Sequence, residues 1–378
     1  MHEEQYDIAI VGGGLAGLAA SILLSREGFR VLLFEKEAYP FHRVCGEYIS
    51  MVSWSFLERL GVRLYELQLP RIEKLLLTAP NGKAFRTTLP LGGFGISRYI
   101  LDDTLARVAR ASGVQLVENA KVENIEGRFR IHYSTPGGKA TVLSKLCCAA
   151  WGKRSGMDVK WNRRFLKDHH PRLQNFVGIK YHVRANEVRD TIALHNFSNG
   201  YAGFSAIEEG KYCFAYLTRA RSLREWEGIA SFEEGVLHQN PQLKQLMQGM
   251  EVLPSFPVTI SQISFSPKPP VENGVLMLGD TAGMIAPLCG NGMSIALRSA
   301  AMAAVLCKDF LEAKISREAM EAAYAAQWKE AFGGRLWRGR MLQRFFGSNV
   351  ISNSFVQAFR IMPFLAKPLI RSTHGEPF

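Results

Sequence analysis

The sequence predicts an α/β chain in which a parallel sheet with helices is interrupted by antiparallel-sheet excursions, α+β in character, and followed by C-terminal helices. Three observations predict it. Residues 6–36 read as strand, glycine-rich turn, helix and second strand, one βαβ unit of ordinary size. Residues 72–90 and 177–217 read instead as short alternating strands joined by turns, and residues 275–308 return to strand, glycine-rich turn and long helix.

The elements follow in order. YDIAIV (6–11) is an apolar run, and LAGLAASILLSREG carries apolar residues at helical spacing up to a stop at Gly28. RVLLFEK (30–36) reads as a buried parallel strand. Between the first strand and the helix, Gly12, Gly14 and Gly17 form GxGxxG around Leu15 and Ala16. Glycines at that spacing permit a tight turn, close backbone approach to a pyrophosphate and close helix packing, while the helix N-terminus faces the phosphate charge. Glu35, beside Lys36, ends the second strand, where a carboxylate takes ribose hydroxyls. The expectation is a Rossmann-like dinucleotide-binding domain.

IEKLLLTAPNGKAFRTTLP (72–90) turns at Asn81-Gly82, YILDDTLARVARASG (99–113) is a helix closed by Gly113, and short strands follow over 114–150. The antiparallel stretch from Val177 to Leu217 turns at Glu209-Gly210. The chain therefore leaves and re-enters its first domain. The expected division is 1–70, 99–172 and 266–330 for the cofactor-binding domain, 71–98 and 173–265 for an antiparallel-sheet substrate domain, and 331–378 for a C-terminal helical segment.

GVLMLGDTAGMIAPLCGNGMSIALRSA repeats strand, loop and helix with different parts: Gly279-Asp280, a loop with Pro287, then Gly290-Asn291-Gly292 and Met293 opening a helix. Here the chain resembles the FAD-binding oxidoreductases of the para-hydroxybenzoate hydroxylase fold. The resemblance places Asp280 at the ribityl chain and the 290–293 turn under the flavin ring, where a helix N-terminus stabilises negative charge. Within that fold the chain is most similar to the geranylgeranyl reductase family, through FHRVCGEYIS (41–50), PLCGNGMSIALRSA and GYAGFSAIEEGKYCFAYL. That likeness implies FAD as cofactor, Arg43 and Arg98 as cofactor contacts, and Cys45 and Glu47 as catalytic residues. Cys45 also reads as a buried structural thiol, and Glu47 as a solvated turn carboxylate. Hydroxylases of the fold carry an Asp-Gly pair where this chain has Trp151-Gly152, which leaves the electron donor open between NAD(P)H, ferredoxin and another reduced flavin.

The implied reaction is reduction of a hydrophobic unsaturated small molecule, of lipid, prenyl or polyketide-like kind. An FAD-dependent monooxygenase hydroxylating an aromatic or lipid substrate is the alternative, and an idle FAD-binding adaptor is a third reading. The 378 residues include no uninterrupted apolar run of bilayer length, since Met293–Leu306 carries Arg298. Six scattered cysteines without a CxxC pair, and an N-terminus without a basic leader, predict a reduced cytoplasmic protein with no metal. Asp168-His169-His170-Pro171 is not expected to converge on an ion.

The formal charge is +12, and the tail from Phe332 holds seven basic residues against Glu376 alone. Nucleic acid is not expected: the run Lys160, Arg163, Arg164, Lys167, Arg172 reads as a solvated connector. In the tail, arginines alternate with aromatic residues at helical spacing over 332–371. Three readings stand for it: helices in the headgroup layer at the inner face of the membrane, a lid over a greasy substrate, or ordinary core.

Overall fold

The computed structural model describes residues 5–167, 173–286, 290–345, 348–373, 375–376 and 378. Two sheets organise them. The first runs in the order Val271–Glu272, Val275–Met277, Gly138–Ala149, Gln5–Val11, Val31–Phe34, Gln115–Val117. From Val275–Met277 onward its neighbours are parallel. We label Gln5–Val11 β1, Leu15–Arg26 α1 and Val31–Phe34 β2. All four residues of β2 are buried, which a strand covered on both faces requires.

The second sheet has nine strands, and its composition is where the structure goes beyond the sequence reading. The hairpin Arg71–Thr78 and Ala84–Gly95 and the meander from Phe176 to Arg219 form one sheet rather than two excursions. They join through a parallel pair, Thr191–Phe197 beside Arg71–Thr78, from opposite ends of a long connection. The three-residue strand Tyr48–Ser50 pairs with the far edge of that sheet. The chain segment just after the first βαβ unit therefore already belongs, by its hydrogen bonds, to the second sheet.

Helix α1 is apolar nearly all round because it is sandwiched between the parallel sheet and the helix Gly292–Leu311. Small residues set that approach: a Cβ on Gly279 would lie 3.2 Å from the Ala296 Cβ and 3.4 Å from the Ala16 Cβ. The two glycine-rich segments, far apart in sequence, meet for this reason. Gly12, with φ +109°, sits where a Cβ would strike the Ala150 carbonyl at 2.4 Å.

The described residues of the tail form the α-helices Arg317–Phe345, Asn349–Ile361 and Ala366–Thr373, with a 3-10 turn at Pro363–Leu365. The first buries a stripe at i+4 spacing, Met320, Tyr324, Trp328, Phe332 and Leu336, in the core around the parallel sheet. The second lays Val356 and Phe359 on Leu77 and Phe85 of the hairpin. These faces are core, so that reading of the tail holds for them; Trp337 and Phe364 remain largely exposed. Among the described residues no helix is long and apolar enough to cross a membrane.

Tyr324 donates its hydroxyl to the Met277 carbonyl at 2.7 Å in a buried setting. Tyr324→Phe should therefore lower the unfolding free energy by roughly 1–3 kcal/mol, because a buried acceptor loses its donor. Urea titration followed by circular dichroism measures this, and an unchanged midpoint would mean the carbonyl finds another partner.

Candidate cofactor and substrate site

Helix α1 starts on Gly14 with no side chain capping its first turn, so its N–H groups are available to an anion. Gly17 cannot carry a side chain, since its Cβ would lie 1.9 Å from the Gly12 carbonyl oxygen. Gly14 faces open space, its nearest neighbour being Arg98 Nη2 at 3.7 Å. Leu15 and Ala16 are buried in the first turn.

Glu35 ends β2, buried, and accepts the Gly13 N–H at 2.9 Å and the Glu37 N–H at 3.2 Å. Arg43 reaches across to Glu35 Oε2 at 2.7 Å and to Asp102 Oδ2 at 3.0 Å. Arg98, at the start of the helix Arg98–Ala111, grips both oxygens of the same Asp102. Two carboxylates and two guanidiniums thus form one locally neutral network along the rim of the glycine turn. Tyr39 donates its hydroxyl to the Gly13 carbonyl, and burial with Glu35 and Asp102 nearby pushes its ionisation well up, so it stays a donor. Lys36 stands apart: its side chain is 68% exposed and pairs with Glu37 at 3.6 Å.

The second glycine segment closes on the first. Gly279 adopts φ +57° and donates its N–H to Ser299. Asp280 is half-buried, and its carbonyl takes the Lys268 ammonium at 3.0 Å. Burial holds Lys268 down at about 8, although Asp158 and Asp280 oppose the shift. Asn291 precedes the helix Gly292–Leu311 without capping it through its side chain, and Met293 is buried in its first turn. A Cβ on Gly290 would meet the Tyr48 ring at 3.0 Å. Pro287 and the Asp168-to-Pro171 stretch lie outside the described residues.

Trp151, the departure noted in the sequence, donates its indole N–H to Asp158 at 2.9 Å. Asp158 pairs with Arg163, which also donates to the Thr281 carbonyl and to Glu272. Arg163 is fully buried, so the connector containing it is not wholly solvated as the composition suggested. It is the pin that ties the connector to the Gly279–Thr281 turn.

Opposite these turns lies the Cys45-Gly46-Glu47 loop. Cys45 is half-buried, with its Sγ 3.7 Å from Met293 Sδ, which sets this loop against the first turn of the Gly292 helix. Glu47 is a non-glycine residue at φ 55°, fully buried, and therefore not a solvated turn carboxylate. A strained backbone persists only when its surroundings over-determine it. Here they do. Glu47 Oε1 accepts the Arg98 N–H at 2.8 Å and the Lys180 ammonium at 2.5 Å, and Oε2 meets His182 Nε2 at 2.6 Å. Burial alone would raise its pKa, but Lys180 and His182 outweigh that and hold it at about 2.

Lys180 is itself buried; burial favours its neutral form, yet Glu47 more than offsets this and raises its pKa. Cys213 adds its thiol to the cluster, and burial followed by Glu47 pushes that thiol well up. Glu47, His182 and Cys213 bring potential ligand atoms within 4.8 Å of one another. The sequence predicts no such trio. The Lys180 ammonium pairs with Glu47 beside this trio, at 2.5 Å from Oε1.

Above Lys180 and His182 stands an aromatic wall. His42 stacks on Tyr99 at 4.6 Å and tilts against Phe256 at 4.7 Å. Burial and the Lys180 charge lower the His42 pKa to about 4, so it is neutral at pH 7. Lys180, His182, Asp102 and Tyr39 were not singled out in the sequence. Lys180 and His182 did leave a signal, two polar residues at period two inside the apolar strand FVGIKYHVR.

A profile of the NAD(P)-binding Rossmann-like domain matches residues 10–49. Digeranylgeranylglycerophospholipid reductase of Methanococcus vannielii is 25% identical over 349 residues, 87% of this chain and 83% of its own length. Among solved structures, a flavin-dependent brominase superposes with a TM-score of 0.78 at 18% identity, covering 98% of this chain and 93% of its own. A geranylgeranyl bacteriochlorophyll reductase-like protein of Thermoplasma acidophilum does so at 0.75 and 18%, covering 94% and 91%. The uncapped helix starts, the open face of Gly14 and the carboxylate closing β2 fit a flavin adenine dinucleotide. The chain has the geranylgeranyl-reductase-like FAD-binding fold, that of an FAD-dependent oxidoreductase.

Proposed function

We propose that the protein reduces a carbon–carbon double bond in a hydrophobic small molecule, of lipid, prenyl or polyketide-like class. The observation that carries this reading is the Cys45 loop, set against the first turn of the Gly292 helix and backed by the buried Glu47–Lys180–His182 cluster. Bound FAD would supply a two-electron carrier. The first turn of α1 would hold its diphosphate, Glu35 its ribose and Asp280 its ribityl chain, with Arg43, a quarter exposed and held by Glu35 and Asp102, beside the diphosphate. NAD(P)H, binding transiently, is the donor this reading names.

The chain's own residues have separable roles. Cys45 is the proton donor to the substrate, at Sγ. Glu47 is held ionised and has no proton to give at neutral pH, so it positions the loop rather than reacting. His42, Tyr99 and Phe256 present neutral aromatic surface, which suits an apolar chain and excludes water. The second reading is an FAD-dependent monooxygenase that hydroxylates an aromatic or lipid substrate in the same pocket, on a fold shared with a flavin-dependent brominase.

The experiment reduces the holoprotein anaerobically, adds unsaturated lipid and quinone candidates, and weighs the products, then repeats the incubation in air. A gain of two hydrogens supports the reductase; a gain of one oxygen atom supports the second reading. Cys45→Ala should bind FAD normally and accept electrons from the donor, yet form product about a hundredfold more slowly, the ordinary worth of one positioned acid. Unchanged product formation would remove Cys45 from the chemistry.

A further inference from the structure

The C-terminal helices frame a cleft of about 880 Å³ that shares no lining residue with the site above. Its walls come from the helices Gly292–Leu311, Arg317–Phe345 and Ala366–Thr373, together with Pro90 and Leu91 of the hairpin. Four guanidiniums line it, Arg298, Arg335, Arg338 and Arg371, against the carboxylates Glu330 and Glu376.

Those guanidiniums are under-used. Arg338 donates two hydrogen bonds to the Ser372 carbonyl, and Arg335 donates two to the Ala331 carbonyl of its own helix. Among the described residues none of the four is ion-paired with a carboxylate. Arg335 is 8% exposed, and burial together with Arg298 and Arg338 lowers its pKa to about 10. Four guanidiniums against two carboxylates leave the cleft net positive, with Glu376 only partly offsetting the charge on Arg335, which favours an anion in their midst, and arginine forks match phosphate oxygens two at a time.

The rim supplies the second half of the argument. Leu91 lines the cleft at 48% exposure, and Phe364, at 69%, and Leu365, at 41%, stand just before the helix that closes it. Basic side chains beside exposed large apolar ones suit the boundary between headgroups and acyl chains, and a small dissolved anion would have no use for the apolar rim.

We propose that this cleft docks the protein on an anionic phospholipid surface, its arginines taking headgroup phosphodiesters while Leu91, Phe364 and Leu365 reach the acyl boundary. The site is separate from the redox centre and its readout is binding, so it stands or falls apart from the proposed reaction.

The test is co-sedimentation of the full-length holoprotein with vesicles of phosphatidylcholine alone or with a third phosphatidylglycerol. Binding to the anionic vesicles is expected, with weak binding to the neutral ones and loss at high salt. Arg298 is half-buried and Arg371 exposed, so the double variant Arg298→Gln, Arg371→Gln leaves the packed Arg335 and Arg338 in place. It should bind anionic vesicles about thirtyfold more weakly, the worth of two basic residues at a charged surface. Lys121→Gln with Lys139→Gln removes equal charge from the strands Lys121–Glu126 and Gly138–Ala149, which do not line the cleft, and should leave binding within about threefold of wild type.

Equal binding by the arginine variant, equal loss in the lysine variant, or no preference for phosphatidylglycerol overturns the proposal. So does tight binding of inorganic phosphate without vesicle binding, which would make the cleft a small-anion site.

Discussion

Glu47→Gln is expected to destabilise the protein by about 3–5 kcal/mol, because it strands the Lys180 ammonium in a fully buried position. The amide can accept a hydrogen bond from Lys180 but brings no charge to balance it. Glu47→Leu combined with Lys180→Met should recover more than half of that loss, since a buried ion pair is commonly replaced by apolar groups at little cost. Urea unfolding of the three proteins decides this. If the single variant is as stable as the parent, the buried pair carries no structural weight.

The same cluster sets a pH dependence with a definite sign. A carboxyl held at about 2 instead of 4.5 stabilises the fold fully above its unfolded value, and that contribution disappears as pH falls toward 2. Its size is about 3 kcal/mol by linkage. His42 works in the same direction, because the unfolded chain takes up a proton near 6.5 that the folded chain accepts only at about 4. The parent should therefore lose stability progressively between about pH 6 and pH 2, and Glu47→Gln should lose less across the lower half of that range.

Gly14→Val and Gly17→Ala should part company, although both alter one turn. A Cβ at Gly17 would lie 1.9 Å from a backbone carbonyl oxygen, which cannot move aside, so Gly17→Ala should cost more than about 3 kcal/mol of stability before any ligand is considered. A side chain at Gly14 projects into open space beside the flexible end of Arg98, so the ligand-free fold should keep its urea midpoint. That space is where a diphosphate meets the helix N-terminus, and FAD affinity should fall at least about a hundredfold, some 2.7 kcal/mol. Flavin titration of the apoprotein measures it. A Gly14→Val protein that purifies yellow and stoichiometric would show that the diphosphate binds elsewhere.

Much of the frame was legible in the sequence, for a physical reason. The turn at Gly12, Gly14 and Gly17, the helix behind it and Glu35 at the end of β2 are local consequences of backbone freedom, helical periodicity and strand length. The hairpin around Asn81-Gly82 and the positive-φ pair Glu209 and Gly210 are equally local. Trp151 announced a departure, though not that it would bond to Asp158 and so to the Arg163 pin.

Long-range pairing decided the rest. Lys180, 133 residues from Glu47, and His182, 135 residues away, reach it because the strand Phe176–Arg184 lies under the Cys45 loop, and no local pattern carries that distance. The parallel pairing of Thr191–Phe197 with Arg71–Thr78 merged two excursions into one sheet, a register fixed by which apolar faces meet. Arg335 and Arg371 became one cleft only when two helices packed side by side. Sequence determined the elements and the turn chemistry of this protein, since these depend on neighbours along the chain. Tertiary structure alone decided which buried charges share a site, because desolvation and Coulomb energy depend on distance through space.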